Sequence, residues 1–399
     1  MDPYLLDWLN LLLRWAHVVV AIAWIGSSFY FVFLDNSLTL PVDEASKARG
    51  VTGELWAVHG GGFYHPQKYM VAPPALPEKL HWFYWESYST WLTGFGLFTL
   101  LYLLQASTFL IDPAVHAWSA PAAVASALAL LVVFWFAYDA LCRTTGRGPN
   151  GDLWVGAGVA LLVMVTAVVA CKLFAGRAAF LIVGAAMATA MSANVFAWII
   201  PGQRKVIAQM KAGLPVDPAH GLRAKQRSVH NTYFGLPVLV AMLSNHYAFL
   251  YGAAHNATVL VLLMAAGALI RHSFVARRRA LVQQRRVPWE YAAIGVALLM
   301  ATAVWLRPAA RPEPTATAMP VTLSQVQTIV EQRCVMCHNA VVQNKGVALH
   351  TAALIQQHAL AIYQQAVVLK QMPMNNATQI TDDERALLCR WFEAGVAAR

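Results

Sequence analysis

Two cysteines and a histidine lie close together near the carboxyl end of the chain. The stretch EQRCVMCHNA contains Cys334, Cys337 and His338 in the order C-x-x-C-H. Two thiols at this spacing can attach a porphyrin through thioether bonds and the adjacent imidazole can ligate its iron, so the motif predicts a covalent c-type haem. A structural zinc site would need two further ligands at similarly close spacing. The other candidates for such ligands are scattered along the tail: His350, His358 and Cys389.

The second axial ligand of this haem is expected in the segment QMPMNNATQITDDERALLCRWFEAG. Met372 precedes a proline and Met374 is the alternative; of the two we favour Met372. A methionine ligand raises the reduction potential, as an electron carrier requires. Thr381 and Glu384 have the spacing of a capping box, which predicts the start of a helix. The segment resembles the small class I cytochrome c domain, in which a methionine before proline is the sixth ligand, although such domains more often carry glycine at the position of Asn375. The tail is therefore expected to transfer electrons.

The rest of the chain has the composition of a membrane protein. Of its 399 residues, 58% are hydrophobic and 12% are charged, and a soluble protein carries about twice that charged fraction. The net charge of +10 is not attributed to a nucleic-acid partner, because the basic residues fall in short loops between apolar spans. Three regions follow: a transmembrane helical domain at 1–307, a Pro/Ala-rich linker at 308–319 and a cytochrome c domain at 320–399.

The apolar stretches predict how the chain crosses the lipid bilayer. A membrane-spanning helix needs about 20 mostly apolar residues. We predict an all-α fold in which a polytopic bundle of eight spans carries the small cytochrome domain. The predicted spans are 8–34, 86–111, 119–142, 151–172, 176–200, 228–250, 253–272 and 289–307.

Two arguments predict the same orientation for this bundle. Covalent haem is attached outside the cytoplasm, so the tail must be exported, and an even number of spans then places the amino terminus outside as well. In that orientation the outer loops hold only two basic residues, Lys172 and Arg177, while the inner loops hold many. This distribution is the one that the positive-inside rule requires.

Histidines within the spans are candidate cofactor ligands, because an ionisable group in hydrocarbon is costly; a hydrogen bond across helices is the alternative role. His17 lies in LLLRWAHVVVAIAWIGSSFYF, which resembles the first helix of membrane proteins that hold haem b, including a protoporphyrinogen-oxidase-type family. His230 and His246 are separated by about 24 Å along the sixth span, too far to bind one haem together. We expect His17 and His246, at similar depth, to ligate haem b, and His230 to serve a second haem or the substrate pocket. His272 falls in a basic interfacial run and is set aside.

The long loop after the first span combines aromatic and titratable side chains. Its tryptophans and tyrosines could form an interfacial belt, but a belt does not explain the titratable residues among them. Aromatic planes with convergent polar groups suit a flat heterocyclic substrate. The Gly-Gly-Gly run in this loop is not followed by G-K-[ST], which excludes a Walker-type phosphate site. The titratable residues are His59, His65, Lys68, His81 and Glu86.

Over nearly its whole length the chain resembles the bacterial membrane-bound urate hydroxylases (urate oxidases). The resemblance rests on ELWAVHGGGFYHPQKYMVAPPALPEKLHWFYWESYSTWLTGF, on HNTYFGLPVL with the following SNHY, and on the C-terminal cytochrome c. It implies a multi-pass enzyme of the bacterial inner membrane, with both termini periplasmic, that oxidises urate to 5-hydroxyisourate. It also implies that electrons pass to the fused cytochrome and on to a respiratory acceptor, such as a cytochrome c oxidase or a soluble cytochrome.

This resemblance suggests roles for the residues of the loop. Urate is a planar anion made in the cytoplasm, and the loop is expected on that side. Lys68 would offset the negative charge, and Glu86 or His81 would act as general base on a water molecule that attacks C5. With His59, these are the candidate catalytic residues. The candidates for stacking on the purine are Phe63, Trp82 and Trp85.

The loop and the tail would lie on opposite sides of about 30 Å of hydrocarbon, so an intermediate redox centre is expected. The sequence contains no G-x-G-x-x-G and no second cysteine cluster, which leaves histidine-ligated haem b as the economical choice. Two other functions stay open: a dehydrogenase for quinol or another donor, and a non-catalytic electron-transfer subunit that needs a partner protein.

Overall fold

A computed structural model of the protein describes residues 3–70, 72–146, 150–307, 321–343 and 346–397. The predicted linker at 308–319 lies outside these residues. Most of the described chain is helical, as the apolar stretches predict. The helices up to residue 307 are α1 (Pro3–Ser37), α2 (Glu44–Ala48), α3 (Trp85–Phe98), α4 (Ala106–Phe109), α5 (Ala120–Thr144), α6 (Gly151–Leu173), α7 (Gly176–Asn194), α8 (Ile200–Lys211), α9 (Pro218–Leu243), α10 (Ala248–Tyr251), α11 (Asn256–Val282) and α12 (Glu290–Trp305).

Five helical stretches are long and apolar enough to cross a membrane. They are Tyr4–Ser37, Ala120–Thr144, Gly151–Leu173, Gly176–Lys211 and Asn256–Val282. Helices also occupy the three other predicted spans, but these do not meet the same criterion among the described residues. α3 gives way to a π-helix at Thr99–Leu103, α9 begins in a polar and basic segment, and α12 is short. By length and composition, five spans are therefore supported among the described residues, and the count of eight stays a prediction.

α7 is the central helix of the bundle and packs against α3, α5, α6 and α9. Small side chains allow this close packing, as is usual between membrane helices. At Gly184 a Cβ atom would lie 2.9 Å from that of Ala241 in α9, so only glycine permits the observed approach. The main hydrophobic core lies around α7 and includes Phe134, Phe174, Phe180 and other fully buried side chains.

The loop between α1 and α3 contains short strands, which the predicted all-α fold did not include. β1 (Gly53–Glu54) pairs antiparallel with β4 (Gln67–Lys68), and β2 (Ala57–His59) pairs antiparallel with β3 (Gly62–Tyr64). Gly60 and Gly61 connect β2 to β3 with φ of +58° and +80°. Two-residue hairpin turns favour glycine because both residues need positive φ. The glycine run is therefore a hairpin turn.

Residues 321–397 form a second, smaller helical unit with its own hydrophobic core. Its helices are α13 (Leu323–Arg333), α14 (Ala352–Gln357), α15 (Ala359–Ile362), a π-helix at Tyr363–Val368 and α16 (Asp382–Ala397). α13 and α16 are joined by a bidentate ion pair between Arg333 and Glu384, with nitrogen–oxygen distances of 3.0–3.2 Å. The predicted capping box is confirmed: Thr381 N donates to Glu384 and Glu384 N donates to Thr381 Oγ1.

The small unit and the loop contact opposite ends of the bundle. Asn375 of the small unit donates to the carbonyl of Thr108, and Met374 contacts Arg177 at the start of α7. The loop lies at the other end, where Phe83 packs against Phe31 near the end of α1. The bundle therefore lies between the predicted haem-binding unit and the loop predicted to bind the substrate.

Candidate functional site

The C-x-x-C-H motif forms a turn at the end of α13. The backbone N–H groups of Cys337 and His338 both donate to the carbonyl of Cys334, each at 3.1 Å. The imidazole Nδ1 of His338 lies 3.0 Å from the carbonyl oxygen of Val347, so Nδ1–H is the donor and Nε2 is free to ligate a metal. Both thiols are unpaired, and burial raises the pKa of Cys334 to about 11. This donor set fits a covalently attached haem.

The segment that carries the two candidate methionine ligands is held from two sides. Arg385 of α16 donates to the carbonyl oxygens of Ala366 and Met372, at 3.0 Å for the latter. Burial lowers the pKa of this guanidinium, which is only 7% exposed. The sulfur of Met374 lies instead 3.7 Å from Arg177 Nη1 in the bundle. Of the two sulfurs, only that of Met374 has a partner in the described part of the bundle.

A pocket of about 840 Å³ opens on the loop between α1 and α3. Glu54, only 7% exposed, accepts a hydrogen bond from His65 Nε2 at 3.0 Å. The imidazole stacks on Trp56, with ring centroids 4.0 Å apart. The side-chain amide of Gln67 donates to the same carboxylate at 3.5 Å and to the hydroxyl of Ser46 at 3.0 Å. A carboxylate that orients an imidazole in this way is a common arrangement in general-base sites.

A second carboxylate, that of Asp43, lines this pocket and caps a helix. Asp43 is the N-cap of α2, and its carboxylate accepts from the backbone N–H and the hydroxyl of Ser46, at 2.9 and 3.0 Å. These hydrogen bonds lower the pKa of Asp43. Sequence reasoning identified His65 but missed Glu54, because these two residues come together only when the strands pair. It also missed Asp43, although the spacing of Asp43 to Ser46 is a local signal of a helix N-cap.

The predicted catalytic residues of the loop do not form one cluster. His59 is exposed on β2, and His81 is exposed with its ring edge-on to Phe83. Lys68 forms an ion pair with Asp35 near the end of α1, so its charge is already balanced. Among the stacking candidates, Phe63 is 78% exposed, Trp85 is 63% exposed and Trp82 is half-buried.

Glu86 differs from these residues because part of its carboxylate is buried. It lies in the first turn of α3, and its Oε2 is shielded from solvent and has no hydrogen-bond partner in the described chain. The next residue, Ser87, is buried and faces Ser192 of α7, with hydroxyl oxygens 3.1 Å apart. A buried carboxylate oxygen without a partner is available for a bound ligand or water molecule.

His17 is held against α3 at a glycine. Its Nδ1 lies 3.1 Å from Thr93 Oγ1, and a Cβ atom at Gly94 would come within 2.8 Å of the imidazole Cε1. The bare backbone of α3 therefore provides the space for this ring. Nε2 has no hydrogen-bond partner among the described residues, so His17 fits the role of a single axial ligand.

The other two candidate ligands have different surroundings. His246 lies in a short 3-10 turn after α9 and is exposed, and no described contact joins it to His17. The Nδ1 of His230 lies 2.8 Å from the hydroxyl of Tyr138 in α5. Asn194 donates to the same hydroxyl at 2.9 Å, which leaves the tyrosine proton for His230. His230 thus makes the hydrogen bond across helices that was considered as its alternative role.

A buried ion pair beside His230 was not predicted from the sequence. Arg227 donates to Asp139 at 2.7 Å, and the two residues are 2% and 7% exposed. Trp198 donates to the same carboxylate oxygen at 2.7 Å, from a π-helix at Val195–Ile199. Single π-turns often occur at functional sites. The network joins α5, α7, α9 and this π-helix at the loop end of the bundle.

The chain was compared with protein-family models. The model described as "Urate oxidase N-terminal" matches residues 3–307, the part of the chain that forms the bundle and the loop. Comparison with curated proteins and with solved structures gives no match.

Proposed function

Because the chain belongs to the urate oxidase N-terminal family, we propose that it is a membrane-bound urate hydroxylase linked to a cytochrome c. Urate and one water molecule would give 5-hydroxyisourate, two protons and two electrons. Water supplies the new C5–O bond, and a respiratory acceptor, such as a cytochrome c oxidase or a soluble cytochrome, finally takes the electrons. The family match over residues 3–307 is the observation that carries this proposal.

The C-terminal unit would receive those electrons. Cys334 and Cys337 would form the thioether bonds to a haem c, with His338 and Met372 as axial ligands. The hydrogen bond from His338 to Val347 and the contact of Met374 with Arg177 support this choice of ligands. When bound, such a haem accepts one electron at a time, so each urate would require two transfers.

The bundle is proposed to cross the bacterial inner membrane eight times, with both termini in the periplasm. The contacts of neighbouring helices agree with this order: His17 meets Thr93 and Phe31 meets Phe83, so α1 and α3 are antiparallel. A compartment reporter fused after Gln203 should then read cytoplasmic, and one fused after Arg311 should read periplasmic. Readings from one and the same compartment would contradict the even number of spans.

The loop end of the bundle is proposed to hold urate. The buried Oε2 of Glu86 makes this carboxylate our first candidate for general base on the attacking water. His81 and His59 stay candidates for proton transfer at the exposed rim, and the pair of Glu54 with His65 joins them. A haem b ligated by His17, with His246 as the predicted second ligand, is proposed within the bundle.

Isotope labelling tests the reaction and the electron path together. The full-length protein is incubated with urate in ¹⁸O-labelled water without dioxygen, and the product mass and the haem spectrum are recorded. We expect one ¹⁸O atom in 5-hydroxyisourate and reduction of the covalent haem. If quinol but not urate reduces the haem, the protein is a donor dehydrogenase of another kind. If reduction by either donor needs an added protein, it is an electron-transfer subunit.

A further inference from the structure

Arg271, in the second half of α11, is a buried cation without a counter-charge among the described residues. The residue is only 7% exposed. Its Nε and Nη2 atoms are shielded from solvent and have no hydrogen-bond partner in the part of the chain that the structure describes. Buried charges are normally paired, because an unpaired charge in an apolar region is destabilising. The arrangement therefore indicates that something outside the polypeptide pairs with this guanidinium.

The geometry of Arg271 specifies the shape of its missing partner. The guanidinium lies over the ring of Phe29 in α1, with Cζ 3.8 Å from the ring centroid, so one face is covered. The Nε and Nη2 groups form one edge of the guanidinium plane, and their two N–H bonds point in the same direction. Such a fork matches two neighbouring acceptor atoms of a flat anion.

Two more polar side chains lie near Arg271. Tyr233 of α9 is close enough to interact electrostatically with Arg271. Its hydroxyl lies 2.7 Å from Nδ1 of His272, whose ring packs edge-on to Tyr291 at 4.5 Å. His272, which sequence reasoning set aside, is thus part of an ordered Tyr–His pair next to the unpaired cation. Hydrogen-bonding groups beside a fixed aromatic ring are typical of small-molecule sites.

The position of Arg271 is at the loop end of the bundle. Seven residues further along α11, Arg278 lies over Phe33 at 4.9 Å, so α1 and α11 run in parallel towards that end. Lys68, the cation expected to balance a substrate anion, is already paired with Asp35. Of these two cations, Arg271 is therefore the one without a counter-charge among the described residues.

We infer that Arg271 binds a planar organic anion through its Nε–Nη2 edge and, resting on the proposed function, that this anion is urate. A purine anion offers a ring nitrogen and a neighbouring carbonyl oxygen in one plane, which matches the fork. Its negative charge would neutralise the guanidinium. Phe29 fixes the plane in which the two N–H groups, and therefore the bound ring, must lie.

Equilibrium binding of radiolabelled urate to the full-length protein tests this inference. Dithionite keeps the protein reduced, so that no turnover accompanies binding. Loss of one partner of a buried charge pair costs enough to weaken binding by about 30-fold or more, and we expect this for Arg271→Gln. Arg271→Lys keeps the charge but loses the fork, so its affinity should fall between those of the two proteins. The matched control is Arg278→Gln, which removes an exposed arginine that also lies over a phenylalanine of α1, and its Kd should stay within about twofold of the parent.

Thermal unfolding and haem content of each variant show whether a change in binding is specific. Removing an uncompensated buried charge should not lower the melting temperature of the ligand-free protein. Extractable haem should be unchanged in Arg271→Gln. A loss of haem with unaltered urate affinity would instead assign the fork to a haem carboxylate and overturn the inference.

The outcomes distinguish failure of the binding site at Arg271 from failure of the proposed function. If the parent protein oxidises urate and Arg271→Gln binds it equally well, the inference fails and the proposed function stands. If urate binds through Arg271 but is not oxidised, the proposed function fails alone. If urate neither binds nor reacts, both fail.

Discussion

Arg177 Nη1 lies 3.7 Å from the sulfur of Met374, so the bundle directly contacts one of the two candidate methionine ligands. Arg177 Nε also donates to Asn245 at 3.1 Å, and Asn245 accepts from Tyr102 at 2.9 Å. Met374 is therefore part of a network that docks the C-terminal unit on the bundle. This contact is the structural reason for preferring Met372 as haem ligand.

The first prediction separates the two methionines by spectroscopy. Met372→Ala should abolish the Met–iron charge-transfer band at the red end of the oxidised spectrum, because its thioether is the proposed sixth ligand. Met374→Ala should keep that band, since its sulfur faces Arg177. Covalent haem staining should be equal in both variants. The opposite pattern of bands would assign the ligand to Met374.

The second prediction concerns docking of the C-terminal unit. Asn375 Nδ2 donates to the carbonyl of Thr108 at 2.6 Å, and Asn375 has a φ of +49°. Asn375→Gly accepts this φ and removes only the donor, so reduction of the covalent haem by urate should slow, while reduction by dithionite should not. Stopped-flow absorbance measures both rates.

A neighbouring asparagine provides the control for that experiment. Asn376 also has a positive φ, of +53°, but its side chain donates to Ile380 within the C-terminal unit. Asn376→Gly should leave the urate-driven rate unchanged. Equal slowing in both variants would mean that local rigidity, and not contact with Thr108, controls the rate.

The sequence predicts local features of this protein well, and the reason is physical. Hydrophobic stretches located the helices, and the capping box of Thr381 and Glu384 located the start of α16, because both signals depend on residues close in the chain. Asp139 and Arg227 are 88 residues apart in the chain, and their pairing depends on which faces of the two helices pack against each other. The same is true of Phe29 and Arg271, so the sequence did not distinguish this cation from the other basic residues.

The third prediction tests the buried ion pair next to His230. Asp139→Asn leaves the buried guanidinium of Arg227 without a counter-charge and should lower the unfolding free energy by about 3 kcal/mol. Arg143 also contacts this carboxylate, at 2.9 Å, but its side chain is 55% exposed. Arg143→Gln should therefore cost less than about 1 kcal/mol. Chemical unfolding in detergent, followed by tryptophan fluorescence, measures both values, and equal values would contradict a buried pair.

The fourth prediction concerns the pH dependence of the C-terminal unit. Burial favours a higher pKa for Glu384, but the hydrogen bonds from Arg333 and Thr381 outweigh it and lower the pKa. A carboxyl group whose pKa is lowered by folding stabilises the fold above its unfolded pKa of about 4.3, and the stabilisation is lost as the pH falls through the folded pKa.

Glu384→Gln should remove that pH dependence without removing the helix cap, since glutamine also completes a capping box. Below about pH 4 the variant and the parent should unfold at more similar temperatures than they do at pH 7. Unfolding of the full-length protein is followed by the absorbance of its covalent haem. A difference in melting temperature that stays constant across this range would exclude an ion-pair contribution.

The last prediction tests the proposed haem b through a glycine. A Cβ atom at Gly94 would lie 2.8 Å from Cε1 of His17, closer than non-bonded carbon atoms approach, so Gly94→Ala must displace the imidazole. If His17 ligates haem b, the variant should lose haem that acidic acetone extracts, as His17→Ala should, and keep the covalent haem. Urate should then fail to reduce the covalent haem of the C-terminal unit, although dithionite should still reduce it. Gly96→Ala is the matched control on the same helix, because its Cβ would meet Leu13 at an ordinary 3.6 Å. Normal extractable haem in Gly94→Ala, with normal reduction by urate, would remove His17 from the electron path.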